Sequence, residues 1–194
     1  MSNPISFEQH GSVVTIRFIR PRQRNPLSVE VLDSLANAIT TVAGSEIVKG
    51  LVITGSEKIF ASGADLREVA RVTAQDALEF AARGQILMRS IADLQIRTIA
   101  AVNGPCFGGA LDLALACDRR VASPDAIFCH PGADLGIMTG WGGTQRLPRL
   151  VGEAFALEMF LTAKRVTAIE ALSKGLINEI ADDPEAAVLK VVHS

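Results

Sequence analysis

Two glycine-flanked turns carry the residues best suited to chemistry in this sequence. Gly108 and Gly109 follow an apolar strand pattern and open a predicted helix, whose first N–H groups lack partners within the helix. Glycine lets a ligand approach the backbone, and the positive end of the helix dipole favours an anion or a polarised carbonyl oxygen. The segment 60–65, Phe-Ala-Ser-Gly-Ala-Asp, offers another backbone N–H in the same kind of turn. Close packing of a helix on a strand is the alternative explanation for the glycine pair.

Asp112 lies one helical turn after Gly109, within the otherwise apolar run 110–116. A carboxylate there must find a partner, face solvent or have its pKa raised. A raised pKa beside an oxyanion-binding turn suits a general acid or base. A carboxylate on the solvent side of an amphipathic helix is the alternative, and both interpretations stay open. Asp65, taken alone, is interpreted as a helix cap.

Other catalytic and cofactor patterns are missing. The spacing of Gly104, Gly108 and Gly109 does not match G-x-G-x-x-G, and no P-loop lysine follows. Position 60 is Phe, so Ser62 is not in a nucleophile elbow. His130 follows a cysteine, but the spacings of a metal site are absent, so we predict no metal and a structural or hydrogen-bonding His130. The glycine-rich segment 132–143, which includes Trp141, predicts a loop that lies over a ligand.

Strand and helix patterns alternate along the chain, which predicts an α/β domain. Strands are predicted at 12–19, 51–55, 99–102, 119–122 and 126–129, and helices at 28–44, 73–94, 110–117, 167–175 and from Pro184 to near Ser194. Met1 to His10 is predicted to be a polar entry into the first strand, with His10 in a loop and His193 near the terminus. No repeat, low-complexity tract or linker interrupts the pattern, so we expect a single domain over 1–194.

Composition excludes several classes of protein. The 194 residues contain 19 Lys and Arg against 21 Asp and Glu, and this balance argues against binding to nucleic acid. No apolar stretch is long enough for a membrane span, and no signal-peptide pattern is present. Three cysteines leave at least one unpaired, as is typical of buried thiols in a reducing compartment. We therefore expect a cytoplasmic protein.

Three segments together resemble the enoyl-CoA hydratase/isomerase, or crotonase, superfamily: residues 60–66, residues 101–114 and residues 140–147. The stretch 20–27 looks like the family's N-terminal signature. The resemblance implies a crotonase-like α/β spiral of ββα units, with a core over about 1–180 and a shortened C-terminal helical region beginning in 181–194. It also implies an enzyme of acyl-CoA thioesters, with coenzyme A as part of the substrate and no permanently bound cofactor, and a homotrimer or a hexamer made of two trimers.

The resemblance further implies roles for individual residues. The N–H groups of Ala64 and Gly109 would hold the thioester oxygen as an enolate forms, and Asp112 would be the acid, base or water-holding carboxylate. Arg22 and Lys58 would bind phosphates of coenzyme A. The backbone around Ser62, including Ala61, would bind adenine.

One departure concerns the second carboxylate. Typical hydratases carry two glutamates; here Asp112 takes the first position and Gly132 the second. Asp134 is expected to supply the missing group through a different loop path. Hydration of a trans-2-enoyl-CoA in fatty acid metabolism is therefore the leading hypothesis. An isomerase or other enolate-forming enzyme, or a non-catalytic acyl-CoA binder, stays open.

Overall fold

The computed structural model describes residues 3–192, so His193 and the predicted helix end near Ser194 lie outside the described residues. The strands are β1 (Ile5–His10), β2 (Val13–Phe18), β3 (Gly50–Thr54), β4 (Arg97–Val102), β5 (Cys106–Phe107), β6 (Arg119–Ala122), β7 (Ile127–Cys129), β8 (Val166–Thr167) and β9 (Glu179–Ile180). The α-helices are α1 (Val29–Ala43), α2 (Leu66–Val69), α3 (Ala77–Ala92), α4 (Gly109–Ala116), α5 (Gly132–Leu135), α6 (Gly143–Val151), α7 (Glu153–Thr162), α8 (Ala168–Ser173) and α9 (Pro184–Val192).

Two sheets organise the described residues. The larger has the strand order β1-β2-β3-β4-β6-β9, in which β1 and β2 are antiparallel and each later pair is parallel. The smaller has the order β5-β7-β8, with β5 parallel to β7 and β7 antiparallel to β8. Because the parallel strands are joined through helices, the turns after β3 and β4 emerge at the same sheet edge. Those are the two glycine turns.

The capping signals in the sequence are largely confirmed. The Ser28 side chain accepts a hydrogen bond from the Val31 N–H and begins α1, which ends at Gly44. Thr167 caps α8 in the same way by accepting from the Glu170 N–H. The Asp65 carboxylate accepts from the Arg67 N–H and begins α2, so its interpretation as a helix cap is correct.

Three predictions of local structure are wrong. The polar entry up to His10 is instead β1, because Ile5 to His10 pair in register with Phe18 to Val13 and complete the sheet edge. The helix predicted from Thr73 begins at Ala77, because Thr73 caps only a turn that precedes it. The segment 132–143 contains the short helix α5, closed by an Ile137 N–H to Gly132 carbonyl bond of 2.9 Å.

The helix α4 is buried along its whole length, as expected for a helix that is apolar on nearly every side. Its C-terminal end is fixed by the buried Arg120, whose guanidinium donates to the Cys117 carbonyl (2.8 Å) and the Leu176 carbonyl (2.7 Å). Fixing this end holds the N-terminus of α4 at a defined place, which matters for the site described below.

The state of the cysteines and the length and polarity of the helices agree with what the composition predicts. Cys106, Cys117 and Cys129 are free and buried, as predicted. None of the helices within residues 3–192 combines the length and the apolar character needed to cross a bilayer.

Candidate active site

A cavity of about 380 Å³ lies where the two glycine turns face the segment 130–141. Three polar side chains line it, those of Ser62, Thr139 and His130. Most of the other side chains in its wall are apolar, among them Leu66, Val69, Val72, Phe80, Leu135, Ile137, Met138 and Phe160. A largely apolar cavity with a few convergent polar groups is typical of a small-molecule site.

Two free backbone N–H groups belong to this wall. Ala64 and Gly109 both line the cavity, and neither N–H donates a hydrogen bond to any residue within 3–192. Their turns are held together tightly, because a Cβ on Gly63 would lie 2.6 Å from the Phe107 carbonyl oxygen and 3.1 Å from the Gly109 nitrogen. Gly63 also has φ = +89°, which favours glycine. Two fixed N–H donors, one of them at a helix N-terminus, can bind an oxygen that gains negative charge.

Trp141 closes the cavity from the side of the glycine-rich segment. It is buried, and its ring occupies the space that a side chain on Gly109 or on Gly84 would need. Its ring also packs on Phe80, with centroids 5.9 Å apart. Gly109 therefore packs closely on the Trp141 ring rather than on a strand, and its N–H has no partner among the described residues. Its role in binding a ligand stays a prediction.

Asp112 is fully buried behind this wall, and the alternative of a solvent-facing carboxylate is wrong. Its Oδ2 accepts hydrogen bonds from the Thr139 hydroxyl and from the Trp141 N–H at 3.3 Å. Burial raises the pKa of Asp112 to about 6, although these two donors, the Arg146 charge and the nearby Gly143 N–H act in the opposite direction. Its Oδ1 has no hydrogen-bond partner within the described part of the chain.

His130 lies between Asp112 and the cavity. Its Nε2 is 3.5 Å from Asp112 Oδ1, and its ring packs on Phe160 with centroids 5.0 Å apart. Neither ring nitrogen has a hydrogen-bond partner among residues 3–192, so the predicted hydrogen-bonding role is not seen. Burial lowers the pKa of His130 to about 4, which leaves the imidazole neutral at neutral pH. The described residues contain no cluster of three or more His, Cys, Asp or Glu side chains arranged to hold a metal ion.

Comparison with known proteins decides the family. The enoyl-CoA hydratase/isomerase family model matches residues 8–192. The chain is 40% identical over 182 residues to crotonyl-CoA hydratase of Syntrophomonas wolfei, covering 93% of this chain and 70% of that protein. It is 36% identical over 184 residues to short-chain-enoyl-CoA hydratase of Clostridium acetobutylicum, covering 94% and 70%. The chain belongs to the enoyl-CoA hydratase/isomerase family.

A solved structure supports the same assignment. The crystal structure of enoyl-CoA hydratase from Bacillus anthracis is similar to this chain with a TM-score of 0.93 at 33% identity, covering 98% of this chain and 75% of that one. The superfamily and the crotonase-like α/β fold predicted from the sequence are thereby confirmed.

Within this family, Gly132 stands where the resemblance leads us to expect a glutamate. The structure shows that the position has no room for a side chain, because a Cβ on Gly132 would overlap the Ile137 carbonyl oxygen. Asp134, two residues later, is exposed on α5 and does not line the cavity. The expected alternative loop path does not bring Asp134 to Asp112, because α5 turns its side chain toward solvent.

Gly132→Ala is expected to lower the free energy of unfolding by about 1–3 kcal/mol, because the added methyl group forces the backbone near Ile137 to move. Chemical denaturation followed by circular dichroism measures this change. Gly136→Ala is the control for an added methyl group in the same segment, because nothing lies within 4 Å of its Cβ, although its φ of +68° carries a strain of its own. A Gly132→Ala protein as stable as the wild type would contradict the tight turn.

The residues expected to bind coenzyme A lie in three settings. Arg22 and Lys58 are exposed, and neither forms an ion pair with another residue of 3–192; Lys58 lies outside the cavity wall. Ser62 lines the cavity, and its N–H donates to the Arg24 carbonyl. Ala61 is buried, and its N–H and carbonyl already pair with Pro105 and Phe107. Ser62 is thus open to a ligand, whereas the Ala61 backbone is occupied.

Two residues, Asn25 and Thr139, help to build the site although the sequence predicts no role for them. Asn25 is buried with φ = +49°, and its amide donates to the carbonyls of Ile59 and Phe60 at 3.1 Å, which joins the 20–27 loop to the first glycine turn. No pattern in the sequence indicates Thr139, whose hydroxyl donates to Asp112 Oδ2. The Asn-Pro pair at 25–26 indicates a turn, but it does not predict that the Asn25 side chain binds the segment around residue 60.

Proposed function

We propose that this protein adds water to a short trans-2-enoyl-CoA, as a lyase of fatty acid metabolism. One observation carries the proposal: the free N–H groups of Ala64 and Gly109 face a cavity behind which a buried carboxylate, Asp112, has a raised pKa. The names of the two curated relatives described above, both hydratases of short enoyl-CoA, support the same reaction.

The chemistry follows from these groups. When the oxygen of water bonds to C3 of the substrate, the electron pair of the C2–C3 double bond moves toward the thioester carbonyl oxygen. Ala64 and Gly109 donate hydrogen bonds to that oxygen, and such donors are worth most in a site that excludes water. Asp112 serves the transfer of the proton from water to C2, for which a pKa near 6 is well matched to neutral pH.

The coenzyme A portion is proposed to enter with the substrate and to leave with the product. Arg22 and Lys58 are proposed to bind its phosphates, and Ser62 its adenine. Their exposure and the unoccupied carbonyl and hydroxyl of Ser62 among residues 3–192 support these roles. For Ala61 we keep only a structural role beside Ser62, because its backbone groups are already paired.

Isomerisation of a double bond is the second candidate, because one buried carboxylate, Asp112, is available for it. Moving a proton between two carbons of an enolate needs one acid–base group, whereas the typical hydratase uses two carboxylates. A binder without activity is the third candidate, and the assay below separates all three.

The test is a parallel assay of purified protein with crotonyl-CoA and with 3-butenoyl-CoA. We expect crotonyl-CoA to lose the absorbance of its conjugated thioester and to give 3-hydroxybutyryl-CoA. Conversion of 3-butenoyl-CoA to crotonyl-CoA, with no hydration, would replace this proposal with the isomerase. Tight binding of both thioesters without turnover would replace it with the binder.

We also propose a cytoplasmic homotrimer or a hexamer of two trimers. Leu157 and Leu161 lie one turn apart on α7 with 56% and 61% of their surface exposed, and Ile169 on α8 is 76% exposed. Large apolar side chains exposed one turn apart on the same helix, like the two leucines of α7, are typical of a protein interface. Three free buried thiols suit a reducing compartment.

A further inference from the structure

The buried imidazole of His130 has no structural explanation in the fold itself. A buried polar nitrogen without a partner costs folding free energy, and a histidine kept for structure usually has at least one ring nitrogen hydrogen-bonded. His130 has neither nitrogen paired within residues 3–192, although it is 2% exposed. A side chain held in this unfavourable state points to a function that needs its nitrogens free.

The position of the ring connects two parts of the site. His130 lines the cavity, and its Nε2 faces the Asp112 Oδ1 at 3.5 Å, the carboxylate oxygen that also lacks a partner. Asp112 itself is fully buried and is not part of the cavity wall. The His130 ring can therefore exchange a proton with a molecule in the cavity while its Nε2 stays beside the Asp112 carboxylate.

The surroundings hold the ring in this place. Phe160 packs on it with ring centroids 5.0 Å apart, and Gly143 brings its backbone close to both His130 and Asp112, with no side chain of its own in between. A side chain on Gly143 would overlap Asp112 Oδ1 and lie 3.1 Å from His130 Cε1. The space between the imidazole and the carboxylate is thus kept clear.

We propose that His130 is a second proton-transfer residue of this site, paired with Asp112 and acting where the family's second carboxylate is missing. This inference rests on the proposed function. Burial lowers the pKa of His130, so the ring is neutral at neutral pH and has a nitrogen free to accept a proton. Burial also disfavours the imidazolium, and the Asp112 carboxylate 3.5 Å from Nε2 offsets that cost.

The proposed step balances. As the water oxygen bonds to C3, the π electron pair of C2–C3 moves to the thioester oxygen, and one proton of water passes to the imidazole of His130. The other proton stays on the new hydroxyl group. The imidazolium then gives its proton to C2 while the enolate electron pair restores the carbonyl, which leaves His130 neutral again.

The test uses His130→Gln, which keeps a polar side chain but cannot take up or release a proton, and His130→Phe, which places an aromatic ring there without nitrogen. For both we expect kcat for crotonyl-CoA to fall by about 100-fold or more, with KM within about three-fold of the wild type. A purely structural residue would not give this split between kcat and KM in a folded protein. His10→Gln is the matched control, because His10 is exposed on β1, and it is expected to keep the wild-type rate.

A second readout separates this inference from the proposed function. Exchange of the C2 protons of butyryl-CoA with D₂O requires the enolate and a base but no addition of water. If the wild type hydrates crotonyl-CoA and either folded His130 variant keeps its rate, the inference is overturned and the proposed function stands. If the wild type exchanges protons in a His130-dependent way without hydration, the inference stands and the proposed function fails. Absence of both reactions in the wild type overturns both.

Discussion

Asp112→Asn is expected to lower kcat for hydration of crotonyl-CoA by about 10²–10⁴-fold while the affinity for coenzyme A stays unchanged. The amide keeps the size of the side chain and can still accept from the Thr139 hydroxyl and the Trp141 N–H. It cannot take up a proton or stabilise a neighbouring imidazolium. Steady-state kinetics with crotonyl-CoA, together with calorimetric titration of coenzyme A, measures both quantities.

The matched control for this change is Asp93→Asn, because Asp93 is exposed at the end of α3 and does not line the cavity. An Asp112→Asn enzyme with wild-type kcat would show that Asp112 has no part in the chemistry. A protein that loses coenzyme A binding as well would place Asp112 in binding rather than in proton transfer.

The pH profile provides a further check on the same carboxylate. Its pKa is raised to about 6, so kcat/KM is expected to increase as pH rises through about 6, where Asp112 ionises and becomes able to act on a proton. The titratable or charged groups around it are His130, Arg146 and Cys106; burial lowers the pKa of His130 to about 4 and raises the pKa of Cys106 well above 9. Neither of these two groups titrates near pH 6. Asp112→Asn should abolish this step in the profile.

Ala64→Pro is expected to lower kcat by about 10²–10³-fold, because proline has no N–H and removes one of the two donors to the enolate oxygen. The corresponding loss of transition-state stabilisation is about 2.7–4 kcal/mol. The N–H of Ala64 donates to no residue of 3–192, so its loss costs no hydrogen bond of the described fold. Steady-state kinetics measures the change, and circular dichroism verifies that the variant is folded.

Ala64→Ser is the control, since it keeps the N–H and adds only a hydroxyl group. Equal activity of the Pro and Ser variants would contradict an oxyanion hole at this turn. The corresponding change at Gly109 is a poorer test. Any side chain at position 109 displaces the Trp141 ring. Such a shift also disturbs the hydrogen bond from the Trp141 backbone N–H to Asp112.

The sequence allowed prediction of those parts of the fold that depend on neighbouring residues. The cap at Ser28, the stop at Gly44 and the helix predicted at 110–117 follow from local spacing and composition, and the structure confirms each. The edge strand β1 could not be predicted, because its pattern of burial is weak and its pairing with β2 determines it. The short helix α5 likewise depends on a turn that closes onto Ile137.

The candidate site also has features that local sequence predicts and features that depend on tertiary contacts. The two glycine turns and Asp112 stand out in the sequence because their residue types are unusual for a strand end and an apolar helix. Their convergence at one sheet edge is a property of the parallel strands. The contact between His130 and Asp112 joins residues 18 positions apart in different elements, and no local pattern reveals it. The exposure of Asp134 could not be predicted from the sequence either, because it depends on how α5 is oriented.

We propose that this site adds water to an enoyl thioester. The most direct test of this proposal is incubation of the wild type and of Asp112→Asn with crotonyl-CoA in H₂¹⁸O, followed by mass spectrometry of the product. We expect the wild type to form 3-hydroxybutyryl-CoA with one ¹⁸O on C3, and the variant to form at most about 1% as much in the same time. Recovery of unchanged crotonyl-CoA from wild-type protein that binds coenzyme A would contradict the proposed hydration.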